Sequence, residues 1–271
     1  MNVGDGPALA LRRGAAGATV EIAAALTMLS RIPVRQARTN ATGAAAYGLV
    51  GAFIGVLGGL VMVLLGGSVP VLAAVLAIGT MAVVSGGIHL DGLADTADAL
   101  MAPDSSRAEA ARKDPALGSG GAVALILVLA AQAASLLSLA SAAGPVVAGL
   151  ACVAAGAASR TLPVVTALFR GGAALHGGLG TWFASRVKGM DGAIATVTTV
   201  VVAGAAGALA GSLALTIGVA IGFGVGLALA AVLLRLRRQL DGDLMGAIVE
   251  LGIAAILGAT AVAMTVPWPI R

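Results

Sequence analysis

Charge is scarce in this sequence: Asp, Glu, Lys and Arg make up 10% of its 271 residues, well short of the roughly 25% of an ordinary soluble domain. Aromatic side chains are scarcer still. Four Phe, two Trp and one Tyr are too few to line a long isoprenoid channel or to stabilise a carbocation with ring faces. The single cysteine, Cys152, lies in an apolar run; it excludes an internal disulfide and a thiolate metal cluster, and reads as packing. A basic stripe interleaved with aromatics is also missing and the net charge is only +4, so no nucleic-acid partner is expected despite a pI near 10.2.

What the chain has instead is apolar length, with 59% hydrophobic residues and 40 glycines. Apolar stretches lie at about 44–66, 69–88, 120–140, 145–168, 193–210, 213–234 and 246–266. Each approaches the roughly 20 residues with which a helix crosses a hydrocarbon layer of about 30 Å. Strands would show shorter, alternating segments. The expected fold is all-α, a polytopic transmembrane helical bundle of about seven spans embedded in the lipid bilayer. Uncharged turns at Gly66-Gly67-Ser68, at 141–145 and near Gly211-Ser212 mark hairpin tips. Repeats such as Gly51-x-x-x-Gly55 and Gly218-x-x-x-Gly222 offer small faces on which helix backbones approach closely.

Basic residues set the expected topology. Five precede the first span (Arg12, Arg13, Arg31, Arg35, Arg38), and the three long loops carry Arg107, Arg112 and Lys113, then Arg170, Arg186 and Lys188, then Arg235, Arg237 and Arg238. By the positive-inside rule the N-terminus and these active-site loops face the cytoplasm across the cell (inner) membrane, and the C-terminus lies outside. Residues 1–43 form a cytoplasmic N-terminal segment ahead of a single transmembrane catalytic domain, 44–271. Glu21 interrupts the only apolar stretch that resembles a signal peptide. Ile22, Leu26 and Leu29 recur at helical spacing, which suits either an interfacial helix or one packed on the loops.

Chemistry concentrates in one place. Six of the twelve acidic residues fall between Asp91 and Asp114, beginning with Gly86-Gly87-Ile88-His89-Leu90-Asp91-Gly92-Leu93-Ala94-Asp95-Thr96-Ala97-Asp98. On a helix, Asp91, Asp95 and Asp98 share one face, where like charges repel unless a cation sits among them. Oxygen ligands so spaced suit Mg²⁺ or Mn²⁺ bound together with substrate phosphates. His89 is a candidate proton acceptor or phosphate partner. Arg107 and the segment Arg112-Lys113-Asp114 lead into a glycine-rich helix entry at Gly118 and Gly121. Cationic side chains and backbone N–H groups attract phosphate at such an entry. Arg160, within the fourth span, is a functional candidate because intramembrane arginines are costly. His176 and Gly178-Leu179-Gly180 follow in the next loop. Asp241 and Asp243 precede the last span, where Asp243 completes a metal site or both aspartates cap the helix.

These residues resemble the cobalamin synthase family, the adenosylcobinamide-GDP ribazoletransferases. The resemblance rests on Gly86-Gly87-x-His89-x-Asp91-Gly92-Leu93-Ala94-Asp95-x-x-Asp98, and on Arg107 with Lys113-Asp114-x-x-x-Gly118-x-x-Gly121. Weaker matches lie at Arg31-Ile32-Pro33-Val34, Ser159-Arg160 with Pro163, Gly178-Leu179-Gly180 and Gly242-Asp243 with Gly246-Ala247. It implies a membrane transferase that joins adenosylcobinamide-GDP to α-ribazole or its 5′-phosphate, releasing GMP, with Mg²⁺ as cofactor. It further implies His89, Asp91, Asp95, Lys113 and Asp114 as catalytic residues and Asp91, Asp95, Asp98 and Asp243 as metal ligands. Arg107, Arg160, Gly118 and Gly121 would bind substrate phosphate or nucleotide. A homo-oligomer or an association with other cobalamin-assembly enzymes is left open.

Three other readings compete. A Mg-dependent prenyltransferase also uses aspartate-rich helix ends, but wants more aromatic residues. A CDP-alcohol phosphotransferase wants Asp-Gly-x-x-Ala-Arg, where this chain has Asp91-Gly92-Leu93-Ala94-Asp95. A transporter would place its acidic residues at mid-membrane on broken helices.

Overall fold

The computed structural model describes residues 7–34, 40–102, 116–169 and 178–265. Ten α-helices are found among the described residues, and no strand. They are α1 (Pro7–Leu29), α2 (Tyr47–Leu65), α3 (Pro70–Val84), α4 (Ile88–Met101), α5 (Ser119–Ala143), α6 (Pro145–Leu168), α7 (Gly178–Ala184), α8 (Gly189–Leu209), α9 (Leu213–Arg237) and α10 (Gly242–Thr265). Six helical segments among the described residues are long and apolar enough to cross a membrane, and α3 with α4 makes a seventh if that bent pair is one span. Pro70 and Pro145 open α3 and α6, where the missing N–H costs no intrahelical bond. The three uncharged tips fall between α2 and α3, α5 and α6, and α8 and α9, as expected.

The bundle is held by backbones in contact. Along α2, a Cβ added at Gly51, Gly55 or Gly59 would collide with the carbonyl oxygens of Gly156, Cys152 and Gly149 on α6. On α9, Gly218 and Gly222 meet the Cα atoms of Thr260 and Ile256 on α10 in the same way. Both glycine repeats are thus packing faces, and Cys152, fully buried between them, packs as expected. Large apolar side chains such as Leu64, Ile126, Val200 and Val262 point outward, where hydrocarbon rather than water is the favourable solvent. The N-terminal helix joins this core, since Ala25 and Leu29 belong to the same buried cluster as α2 and α6.

One expected span is different. The stretch at 69–88 does not continue as a single helix: α3 stops at Val84, and α4 leaves at 94°. Gly86 (φ 66°) and Gly87 (φ 72°) are both left-handed, a conformation that only glycine adopts at no steric cost. Their N–H groups close the end of α3 on the carbonyls of Val83 and Ala82, and Gly87 then caps α4. Arg31 lies over this corner, its N–H donating to the Val84 carbonyl at 3.0 Å and its side chain occupying the space where a Gly86 Cβ would be.

Gly55→Ala should destabilise the bundle by about 1–3 kcal/mol, the usual cost of overpacking. Gly204→Ala on α8, where an added Cβ meets nothing within 4 Å, should be neutral or slightly stabilising. Thermal unfolding of the two variants in the same detergent measures the difference, and equal midpoints would contradict the packing.

Candidate active site

α4 carries the acidic motif on one helix, as its spacing requires. His89, Gly92, Leu93, Ala94, Thr96 and Ala99 are buried, whereas Asp91 is exposed and Asp95 and Asp98 are half-buried. The buried stripe is set by glycine. A Cβ on Gly92 would lie 2.6 Å from the carbonyl oxygen of Asp243, and one on Gly246 would lie 3.1 Å from the Cα of His89. These two positions let α4 and the first turn of α10, which contains Asp243, touch at their backbones. Asp241 caps that helix: its Oδ1 accepts from the Leu244 N–H at 2.9 Å, and its Oδ2 accepts from Gln239 Nε2 at 2.7 Å and Arg237 Nη2 at 3.4 Å. On the other side of α10's start, Gly180 of α7 lies against the backbone of Asp241.

Asp98 is engaged elsewhere. Its Oδ2 accepts from the Gly118 N–H at 2.9 Å and its Oδ1 from the Gly121 N–H at 2.8 Å. The N-terminus of α5 does attract an anion, and the anion is this side chain. Gly118 and Gly121, expected to offer their N–H groups to substrate phosphate, donate them here to Asp98. A carboxylate so placed satisfies two orphan N–H groups and faces the positive end of the helix dipole, which also relieves its repulsion with Asp95.

Arg160 is 1% exposed; its Nη1 donates to Ser159 Oγ at 3.1 Å, its Nη2 to Ser85 Oγ at 3.5 Å, and its Nε has no partner among the described residues. The guanidinium is enclosed in the bundle, whereas Asp91 is exposed. Arg160 couples electrostatically to His89 and to Glu250. Glu250, 5% exposed on α10, accepts from Gln132 Nε2 at 3.0 Å, and the same amide group donates to the Glu250 carbonyl. Sequence reading missed Glu250, Gln132 and Ser85. For Glu250 the signal was plain, an ionisable residue inside an apolar span.

Beside this polar interior lies a cavity of about 340 Å³, lined by residues of α1, α2, α4, α6, α7 and α10, among them Tyr47, His89 and Asp243. Glu21 on α1 couples to Tyr47; burial, and secondly the charge of Asp191, push its carboxyl up from the usual range. Among the described residues no three His, Cys, Asp or Glu side chains form a ready-made metal cage. Arg107, Lys113, Asp114 and His176 lie outside the described residues.

An all-helical bundle with six or seven membrane-length apolar spans, a buried arginine and a cavity between the bent helix α4 and α10 has the build of a polytopic membrane protein. The chain belongs to the cobalamin-5-phosphate synthase family, whose sequence model matches residues 21–261. It is 34% identical over 239 residues to the adenosylcobinamide-GDP ribazoletransferase of Citrobacter koseri, an overlap of 84% of this chain and 94% of that protein. The enzyme of the same name from Shigella dysenteriae serotype 1 is 32% identical over the same shares. That of Rhizobium johnstonii is 37% identical over 166 residues, 58% of this chain and 60% of the relative. No solved structure matches the chain.

Two stability effects follow from these contacts. Asp98→Ala should cost about 1–2 kcal/mol by uncapping α5, equally with and without Mg²⁺. Glu250→Ala should cost several kcal/mol, because it strands the Arg160 charge. Unfolding measured by a thiol probe on the buried Cys152 reads both, and a Glu250→Ala variant as stable as wild type would show that the Arg160 charge is neutralised otherwise.

Proposed function

We propose that this chain is an adenosylcobinamide-GDP ribazoletransferase of the last stage of cobalamin assembly. The observation that supports the reading is the pairing of α4, which carries Asp91 and Asp95, with the start of α10 at Asp243, beside a cavity lined by His89 and Asp243, in a chain of the matching family. The reaction needs a ribose hydroxyl of α-ribazole, or of its 5′-phosphate, to attack the phosphorus attached to cobinamide. The new P–O bond forms as the bond to GMP breaks, and the hydroxyl proton passes to His89 or to a carboxylate oxygen of the acidic face. Lys113 and Arg107 supply positive charge to the departing GMP phosphate.

Mg²⁺ is part of this proposal. Asp91 is exposed and Asp95 half-buried, one turn apart on α4. Such a pair suits an ion that takes one or two carboxylates and otherwise keeps waters and substrate phosphate oxygens. Asp91 and Asp95 would hold it, with Asp243 at the adjoining helix start; Asp98 holds α5 in register with them. When bound, the ion supplies charge to the diphosphate and to the leaving group. Asp114 adds a carboxylate close in sequence to Lys113 and serves to orient it. By the positive-inside rule the basic loops favour a site on the cytoplasmic side of the inner membrane.

Purified protein in nanodiscs, given adenosylcobinamide-GDP and α-ribazole with and without Mg²⁺, should release GMP and form adenosylcobalamin only with the metal. Asp91→Ala and Asp95→Ala should each lower turnover by about 10²-fold or more, the scale on which removed charge stabilisation acts, and leave the fold intact. Near-normal rates in both variants at saturating Mg²⁺ would make the acidic face structural. Cysteine labelling of position 91 from outside alone would reverse the orientation.

A further inference from the structure

The cavity beside α4 has a wall chemistry that the acidic pair does not explain. Its floor is buried: Tyr47 is 2% and Val249 1% exposed, and His89 6%. Its rim is open, with Thr27 and Leu179 both exposed. Tyr47 is the only tyrosine in the chain, and its ring is backed by the fully buried ring of Phe183, with centroids 5.3 Å apart. In a protein with so few aromatic residues, this cavity is floored by a ring held in place by another. His89 Nδ1 is buried and has no hydrogen-bond partner. Buried polar atoms are paired in the great majority of cases, and among the described residues nothing pairs this nitrogen, which lines the cavity's wall.

Size and charge decide what enters. About 340 Å³ is near the lower end of the roughly 300–1,000 Å³ of small-molecule sites, and a corrin macrocycle with its side chains exceeds it. The described lining contains no Lys or Arg, so a phosphate placed inside would be desolvated without a cationic side chain to pair with. A neutral, flat, bicyclic heteroaromatic ring carrying a sugar meets every condition. It has two apolar faces for Tyr47 and Val249, and a ring nitrogen and hydroxyls for His89.

Building on the ribazoletransferase reading, we infer that this cavity is the acceptor site and takes the benzimidazole nucleoside ring-first. The 5′-phosphate of a phosphorylated acceptor stays at the mouth, beyond Leu179. The donor diphosphate remains outside, at Asp91 and Asp95. His89 precedes Asp91 by two residues on α4, so one helix carries both the acceptor pocket's polar group and the carboxylates that would hold the donor's metal ion.

Full-length protein in nanodiscs tests this with two probes, α-ribazole and the free base 5,6-dimethylbenzimidazole. Leu179→Trp narrows the exposed rim without disturbing the core, and Val249→Phe fills the floor. Each should raise KM for α-ribazole about tenfold or more, with KM for adenosylcobinamide-GDP changed less than about twofold, which isolates lost acceptor binding. The free base should compete with α-ribazole and not with the donor. A rise in donor KM with acceptor KM unchanged in the Leu179 variant would overturn the assignment. If wild-type protein releases no GMP, the ribazoletransferase reading itself fails. Calorimetric binding of the free base in the absence of donor and Mg²⁺ then still decides the cavity: binding that Leu179→Trp abolishes supports it, and no binding to wild type overturns it.

Discussion

Helix backbones in direct contact are the constraint on which the other features rest. Between spans in lipid there is little hydrophobic driving force, so association depends on van der Waals packing and on polar contacts that close approach permits. Gly51, Gly55 and Gly59 supply that approach between α2 and α6, Gly218 and Gly222 between α9 and α10, and Gly92 and Gly246 between α4 and α10. Any side chain at Gly92 would push the first turn of α10, at Asp243, away from α4. A glycine whose local role is to leave space thus sets how closely the acidic helix and the start of the last span approach.

Close packing also explains how the interior tolerates charge. Arg160 costs several kcal/mol to desolvate unless it is paired and hydrogen-bonded. Its partners come from three directions: Ser159 on its own helix, Ser85 at the corner that ends α3, and the field of Glu250 from α10. Glu250 is held in turn by Gln132 from α5. The chain of contacts ties α3, α5, α6 and α10 together beside the corner where α4 bends away, so the buried charges brace it.

Much of this was legible before any coordinates. Spans at 145–168 and 213–234 match α6 and α9 closely because Pro145 and Ser212 mark where they begin, and the i, i+4, i+7 spacing of Asp91, Asp95 and Asp98 does lie on one helix. What failed did so for identifiable reasons. Hydropathy runs unbroken through Ser85-Gly86-Gly87, so a window of apolar residues reads one span where two left-handed glycines turn the chain. The glycine-rich entry at Gly118 was read correctly as anion-seeking, but sequence spacing of 20 residues gives no sign that Asp98 is the anion. Arg160 and Glu250 lie 90 positions apart in sequence, and only the crossing of α6 and α10 brings them within each other's field.

The corner at Gly86-Gly87 gives the acidic motif its geometry. Had α3 continued straight, Asp91, Asp95 and Asp98 would run along the axis of a span, each at a different depth and facing whichever helix lay alongside. Turned by 94°, α4 crosses the end of the bundle instead, and its three aspartates are laid out across neighbouring helix ends. Asp98 meets the N-terminus of α5, and Gly92 lies against the first turn of α10. The start of α5 thus presents its positive end to the acidic helix, which offsets part of the repulsion that crowding these carboxylates would otherwise cost. One of three like charges on the face is thereby neutralised within the fold, while Asp91 is left exposed.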